Sequence, residues 1–205
     1  MNILMKLVIA TKNQNKVREI LPVLEPLGVQ KVSTLNDYPE IHNIEETGTT
    51  FEENASIKAR AVCVHTGIPS LADDSGLEIY ALNGEPGVYS ARYGGPSLDD
   101  TGRNQLVLNK MIHVPDSDRA GRFVCVMALA FPDGRIYTRT GTCEGLITHE
   151  PRGTHGFGYD PIFYLEEHRK TMAELPLAEK NRISHRAQAL HKIADLLASL
   201  PETKT

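Results

Sequence analysis

Two long strand-like stretches, residues 122–131 and 135–148, are separated only by Pro132-Asp133-Gly134. Proline presets the backbone angle that opens a tight turn, aspartate bonds back to its own backbone, and glycine supplies the positive φ that closes it. Strands joined by so few residues pair only antiparallel, because a parallel pair needs a crossover of about a dozen residues or more. Any sheet built by this chain must therefore contain an antiparallel part.

The first third of the chain points the other way, to strands alternating with helices. Leu7-Val8-Ile9-Ala10, within residues 6–11, is a short continuous apolar run of the kind covered on both faces in α/β sheets. Val17, Ile20, Leu21, Leu24 and Leu27 follow at three- and four-residue spacing and predict a helix that stops at Gly28. Pro22 and Pro26 complicate it, since a proline in a helix interior costs about 3 kcal/mol, so a short or kinked helix is expected. Residues 29–35 read as a second strand, and residues 36–49, polar and broken by Pro39 and Gly48, as a functional-length loop. Thr50 with Glu53 forms a capping box for a helix through Phe51, Ala55, Ala59, Val62 and Cys63, ended by Gly67 and Pro69.

Ser70-Leu71-Ala72 and Leu77-Glu78-Ile79-Tyr80 read as strand pieces on either side of an acidic turn, Asp73-Asp74-Ser75-Gly76. Residues 83–87 have turn chemistry, and residues 100–112 are a further helical segment. A Gly-rich stretch at 153–158 precedes a short strand at 162–165, and Ala187, Leu190, Ile193, Ala194 and Leu197 predict a final amphipathic helix. The fold class is thus α/β, a mixed sheet with helices packed on it and not a purely parallel doubly wound one.

At 205 residues the chain fits a single domain, 1–205, or one domain with two lobes, with residues 1–5 and 201–205 expected as loose tails. A net charge of -4 argues against wrapping a nucleic-acid backbone, which calls for a basic face. The N-terminal run is too short to span a bilayer and lacks a small-residue cleavage site, so no membrane partner and a cytoplasmic location are expected. Cys63, Cys125 and Cys143 are odd in number and widely spaced, which suits reduced, mostly buried thiols.

Four clusters carry chemistry. Thr11-Lys12-Asn13-Gln14-Asn15-Lys16 sits where a strand hands over to a helix, a place where backbone N–H groups and the macrodipole favour anions. It is no Walker A loop, and by itself it reads rather as an ordinary capped turn with solvated lysines. Glu45-Glu46 and Asp73-Asp74 are adjacent carboxylates whose repulsion must be relieved by exposure or by a cation, and Mg2+ is one such cation. Phe157-Gly158-Tyr159-Asp160-Pro161 puts aromatic rings beside glycines, where a base can stack or the core can anchor a loop. Lys180 with Ser184-His185-Arg186, at the start of the last helix, supplies donors for phosphate or for base oxygens, although a lone histidine is more often a satisfied one.

Together these pieces resemble the Ham1-like family of inosine/xanthosine triphosphate pyrophosphatases over nearly the whole chain. The resemblance is carried by Ala10-Thr11-x-Asn13-x-x-Lys16, Glu45-Glu46-Thr47-Gly48 with Phe51-x-Glu53-Asn54-Ala55, and Ala72-Asp73-Asp74-Ser75-Gly76-Leu77. Pro86-Gly87-Val88-Tyr89-Ser90-Ala91-Arg92-Tyr93, Gly156-Phe157-Gly158-Tyr159-Asp160-Pro161-Ile162-Phe163 and Ser184-His185-Arg186 complete it. One departure is Lys12, where the family usually has glycine; Asn15 replaces a second frequent glycine and is expected to take its left-handed backbone angle.

The resemblance implies an elongated mixed sheet with two lobes flanking a nucleotide cleft, a homodimer, and hydrolysis of ITP, dITP or XTP to the monophosphate and pyrophosphate. By the same implication Glu46 and Asp74 hold Mg2+, with Asp73 or Glu45 as nearby alternates, and Asp74 acts as or positions the general base. Residues 11–16, Ser75 and Lys58 face the phosphates, Phe157 stacks on the purine with Gly158 and Tyr159 also substrate-binding, and Asp160, Lys180, His185 and Arg186 read its edge. Two rivals are a Maf-like pyrophosphatase, which Ser184-His185-Arg186 argues against, and a nucleotide sensor, which would not need the carboxylates.

Overall fold

A computed structural model describes residues 6–27, 29, 31–42 and 44–199. The helix stop expected at Gly28 and the tails at 1–5 and 201–205 lie outside the described residues. One sheet has the strand order β2-β1-β3-β4-β5-β6-β7. These are β1 (Lys6–Ile9), β2 (Lys31–Thr34), β3 (Ser70–Ile79), β4 (Ala120–Ala130), β5 (Ile136–Ile147), β6 (Phe163–Leu165) and β7 (Lys170–Thr171).

The sheet is mixed, as the sequence requires. β1 runs parallel to β2 and β3, and β6 runs antiparallel to β5 and β7. β4 and β5 are neighbours joined by residues 131–135, a connection too short for anything but an antiparallel pair. Phe131 N–H donates to Arg135 O at 2.9 Å, and Gly134 takes φ 92° to close the turn.

Five α-helices are described: α1 (Gln14–Leu24), α2 (Phe51–Thr66), α3 (Asp100–Lys110), α4 (Leu177–Ile183) and α5 (His185–Ser199). α1 absorbs Pro22 in its last turn and passes into a 3-10 turn, Glu25–Leu27, that contains Pro26. α2 begins and ends as its sequence dictates. Thr50 and Glu53 form the reciprocal capping box, and Gly67 adopts φ 67° at the C-terminal end.

Two local expectations are corrected. The acidic turn at residues 73–76 does not exist: β3 runs unbroken from Ser70 to Ile79, and both aspartates lie within the strand. The cause is tertiary, since cations from other elements meet these carboxylates and remove the need for solvent. Lys180 belongs to a separate helix, α4, and not to the start of the last one, because Ser184 leaves the helical conformation at φ -64°, ψ 155°. β7 also went unread, being only two residues long.

The described residues divide into two compact units. The first draws on the described residues within 1–74, 125–141 and 186–205, and the second on Ser75–Val124 and Thr142–His185. The core of the first joins Leu7 and Ile9 of β1, Ile20 and Leu24 of α1, Leu71 of β3, Met127 and Leu129 of β4, and Leu190 and Ile193 of α5. The core of the second joins Leu77 and Ile79 of β3, Val107 and Met111 of α3, and Phe123, Ile162 and Phe163. Each large apolar side chain so buried contributes about 1.5–3 kcal/mol. Cys63 and Cys125 are buried free thiols, and burial pushes Cys125 up to about 12. Among the described residues no helix is long and apolar enough to cross a membrane.

The cap of α2 also orders the loop before it, because Glu53 Oε2 accepts from the N–H groups of Thr49 and Thr50 at 2.7 and 3.1 Å. Thr50→Ala removes one half of this exchange and is expected to lower stability by about 1 kcal/mol in urea denaturation. An unchanged midpoint would show that the box contributes nothing.

Candidate active site

A strand sends successive side chains to opposite faces. In β3, Leu71 and Asp73 therefore share one face, and Leu71 packs there with Ile20 of α1 and Leu190 of α5. The same helix faces carry charge one turn away: Lys16 lies four residues before Ile20, and Arg186 four before Leu190. Lys16 Nζ is 2.8 Å from Asp73 Oδ2, and Arg186 Nη2 and Nε are 3.1 and 3.3 Å from the same oxygen. Arg186 Nη1 turns to Glu19 Oε2 at 2.6 Å. Asp73, Glu19 and Arg186 are all at most 5 % exposed. Burial alone would push the Asp73 carboxyl up, but Lys16 and Arg186, with Lys58 beyond them, hold it well below the usual carboxylate range. Burial likewise works against the Arg186 charge, and Asp73 and Glu19 outweigh it.

Asp74 faces the other way. There α2 presents Lys58, whose Nζ lies 3.1 Å from Asp74 Oδ1 and 2.9 Å from Glu46 Oε1. Glu46 comes from the polar loop, which is tied to α2 just beyond it: Gly48 N–H donates to the buried Asn54 Oδ1 at 2.8 Å. A Cβ on Gly48 would stand 2.6 Å from Glu53 Cβ and 2.7 Å from that oxygen, which explains the glycine. Burial raises the Asp74 carboxyl, and Glu46 raises it further, against the pull of Lys58. Lys58 is opposed by burial and sustained by Asp74, Asp73 and Glu46.

The donors near Asp74 suit a hard cation. Asp74 Oδ2 is buried without a hydrogen-bond partner among the described residues, while Oδ1 shares an ammonium with Glu46. Among the described residues no group of three or more His, Cys, Asp or Glu side chains could hold a metal by itself. Two carboxylates are what Mg2+ commonly takes from a protein when phosphates and water complete its shell. Asp73 Oδ2 is engaged by Lys16 and Arg186, and Glu45 is exposed.

The start of α1 is the capped turn that its motif alone suggests, although Asn15 does not take the angle expected of it. Asn13 caps the helix with its own side chain, accepting from Asn15 N at 2.9 Å and Lys16 N at 3.4 Å, so those N–H groups are already met. Asn15 is helical, not left-handed; the chain turns before it, where Thr11 N–H bonds Ile9 O at 2.8 Å and Asn13 N–H bonds Thr11 Oγ1 at 3.1 Å. No glycine is needed because the turn is made with ordinary backbone angles. Lys12 Nζ donates to Ile41 O at 3.1 Å, Gln14 and Asn15 are exposed, and Ser75 is half-buried in β3.

In the second unit, Phe157, Asp160 and Lys180 meet. Lys180 Nζ lies 2.5 Å from Asp160 Oδ2 and 4.8 Å from the centroid of the Phe157 ring. The same Asp160 oxygen accepts from Phe157 N at 2.9 Å, and a Cβ on Gly156 would come within 2.0 Å of it. Tyr159 anchors the loop: it is 5 % exposed and its hydroxyl donates to Ser90 O at 2.9 Å. His185 is buried with its ring stacked on Phe123, centroids 4.7 Å apart. Arg186, expected at a base edge, places its guanidinium against Asp73 and Glu19 in the first unit.

The family model described as the Ham1 family matches residues 7–196. The chain belongs to the Ham1 family. Among its relatives, the dITP/XTP pyrophosphatase of Desulforamulus reducens is 50 % identical over 96 % of this chain and 97 % of its own length. That of Halalkalibacterium halodurans is 52 % identical over 91 % and 95 %. Among solved structures, the Ham1 protein of Coxiella burnetii has a TM-score of 0.88 at 45 % identity, covering 96 % of this chain and all of the other. The Staphylococcus aureus Ham1 protein has a TM-score of 0.84 at 40 % identity over 94 % and 98 %.

For this Ham1 chain, sequence reasoning missed Glu19. The signal was present, since a glutamate three residues after Lys16 and just before Ile20 falls on the apolar face of α1. Arg186→Met leaves Asp73 and Glu19 buried without their guanidinium and is expected to cost about 3–5 kcal/mol at neutral pH, read by urea denaturation. Because the folded Asp73 carboxyl is depressed, its stabilisation is complete above the unfolded value near 4 and is lost as the pH falls below it. The stability gap between the wild type and Asp73→Asn should therefore narrow from about pH 5 to about pH 2. A constant gap would contradict the charge network.

Proposed function

We propose that this chain hydrolyses purine nucleoside triphosphates with a 6-oxo group, ITP, dITP and XTP, to the monophosphate and pyrophosphate, and so removes them from the nucleotide pool. The observation that carries this reading is the convergence of Glu46 and Asp74 on one ammonium, with the second Asp74 oxygen buried and unpartnered. The relatives named dITP/XTP pyrophosphatases support the substrate class.

Glu46 and Asp74 hold Mg2+ in this reading. When bound, the metal neutralises phosphate charge and favours departure of pyrophosphate. Asp74, raised by burial and by Glu46, accepts the proton of a water whose oxygen attacks the α-phosphorus; the bond from that phosphorus to the bridging oxygen breaks, and pyrophosphate leaves with the electron pair. Lys58 places positive charge beside the reacting phosphate, and Lys16 joins it while keeping Asp73 ionised. Thr11, Lys12, Asn13, Gln14 and Asn15 line the approach of the outer phosphates.

Phe157 stacks on the purine, and Lys180, oriented by Asp160, donates toward the 6-oxo oxygen. His185 completes that wall from the Phe123 side. Adenine presents an amine in place of the oxygen, and each donor left facing it costs about 1–3 kcal/mol, so two mismatches reject ATP by about a hundredfold or more. A cytoplasmic homodimer completes the proposal, and light scattering of the purified protein reads the dimer.

The test is a panel of ITP, dITP, XTP, dTTP and ATP with Mg2+, with products separated by chromatography. ITP, dITP and XTP should yield monophosphate and pyrophosphate, and Asp74→Asn should abolish turnover. Release of orthophosphate alone, or preference for dTTP, would overturn the assignment.

A further inference from the structure

The base-reading loop is held from outside by a helix that the reaction does not otherwise use. Asp100 and Asn104 of α3 are one turn apart and lie on one face. Both act on a single loop residue: Gly158 N–H donates to Asp100 Oδ2 at 2.8 Å, and Asn104 Nδ2 donates to Gly158 O at 3.1 Å. Gly158 has φ 62°, a backbone state that side-chain-bearing residues rarely adopt, and it sits between Phe157 and Tyr159.

α3 does not need these groups for its own integrity. Asp99 caps it by accepting from Gly102 N at 2.8 Å, and Val107, Leu108 and Met111 bury it in the core of the second unit. Asn104 is nonetheless 4 % exposed, a polar side chain buried for the sake of one loop carbonyl. Inside the loop, Asp160 Oδ2 collects Phe157 N–H and the Lys180 ammonium. Two grips therefore meet on neighbouring peptides, one from α3 on Gly158 and one from Asp160 on Phe157.

We propose that Asp100 and Asn104 are specificity-determining positioning residues: by clamping both backbone groups of Gly158, they fix Phe157 against Lys180 and so set the enzyme's preference for 6-oxo purines, without touching the nucleotide. The selectivity part rests on the base-reading role given to Phe157, Asp160 and Lys180 above; the clamp itself does not.

The chain contains no tryptophan, so Phe157→Trp puts a single indole on the loop. In that background Asp100→Ala and Asn104→Ala are each expected to lower indole anisotropy and increase acrylamide quenching. In the chain with Phe157 intact, each should raise the KM for ITP about three- to tenfold with kcat within about twofold, and lower the ITP-to-ATP ratio of kcat/KM by a similar factor. Asp100→Asn keeps an acceptor oxygen and should restore the KM. Unchanged anisotropy overturns the clamp. A mobile indole with unchanged selectivity overturns the positioning role, as does a fall in kcat that merely tracks a lower melting temperature. If the wild type releases no pyrophosphate from ITP, the proposed function and the selectivity claim fall together, while the anisotropy still decides whether the clamp exists.

Discussion

Asp73 is a charged carboxylate inside a sheet, and the first unit can keep it there only because Lys16 and Arg186 reach it from α1 and α5. Removing an ion from water costs several kcal/mol, which a single exposed partner would not offset. Two cations, one of them steadied by Glu19, do so here. With Asp73 satisfied on one face, β3 continues as a strand through the next residue, and the pleat turns Asp74 to the opposite face. Two adjacent carboxylates thereby acquire opposite characters. Asp73 is held ionised by its partners, whereas Asp74 is raised by burial and by Glu46.

This division of labour recurs at residues 185 and 186. His185 stacks on Phe123 within the second unit, and Arg186 joins Asp73 and Glu19 within the first. Neighbours in sequence thus serve different sets of groups, as at Asp73 and Asp74. Within each unit the functional groups are pre-assembled by side chains that do no chemistry. Asn54 and Glu53 fix the loop that brings Glu46, and Asp100 and Asn104, with the Tyr159 hydroxyl bonded to the Ser90 carbonyl, fix the loop that brings Phe157. Such support holds the Glu46 carboxylate and the Phe157 ring in place, as the proposed chemistry requires.

Much of this was readable in advance where the physics is local. The capping box at Thr50 and Glu53, the positive φ at Gly67 and the turn closed by Gly134 depend on a few consecutive residues, and each formed as its chemistry demands. The parallel start and antiparallel hairpin of the sheet followed from apolar runs and connection length. The errors have two causes, one distant and one local. Asp73-Asp74-Ser75-Gly76 has the composition of a turn, and Asn15 the residue type of a left-handed position, but partners distant in sequence made a strand of the first, and Asn13 made a helix start of the second.

By itself, then, the sequence determined the α/β class, the element boundaries that caps and turns control, and the identity of the polar groups concentrated near residues 11–16, 45–46, 73–74, 157–160 and 180–186. Which of those groups meet was decided only by tertiary structure. Arg186 was drawn to Asp73 and Glu19 because a buried carboxylate attracts the nearest guanidinium more strongly than any exposed position can. Asp100 and Asn104 took hold of Gly158 across more than fifty residues of chain. Local propensity reports on the residues beside a position; the charge and hydrogen-bond balance of a buried group depends on whatever folding brings against it.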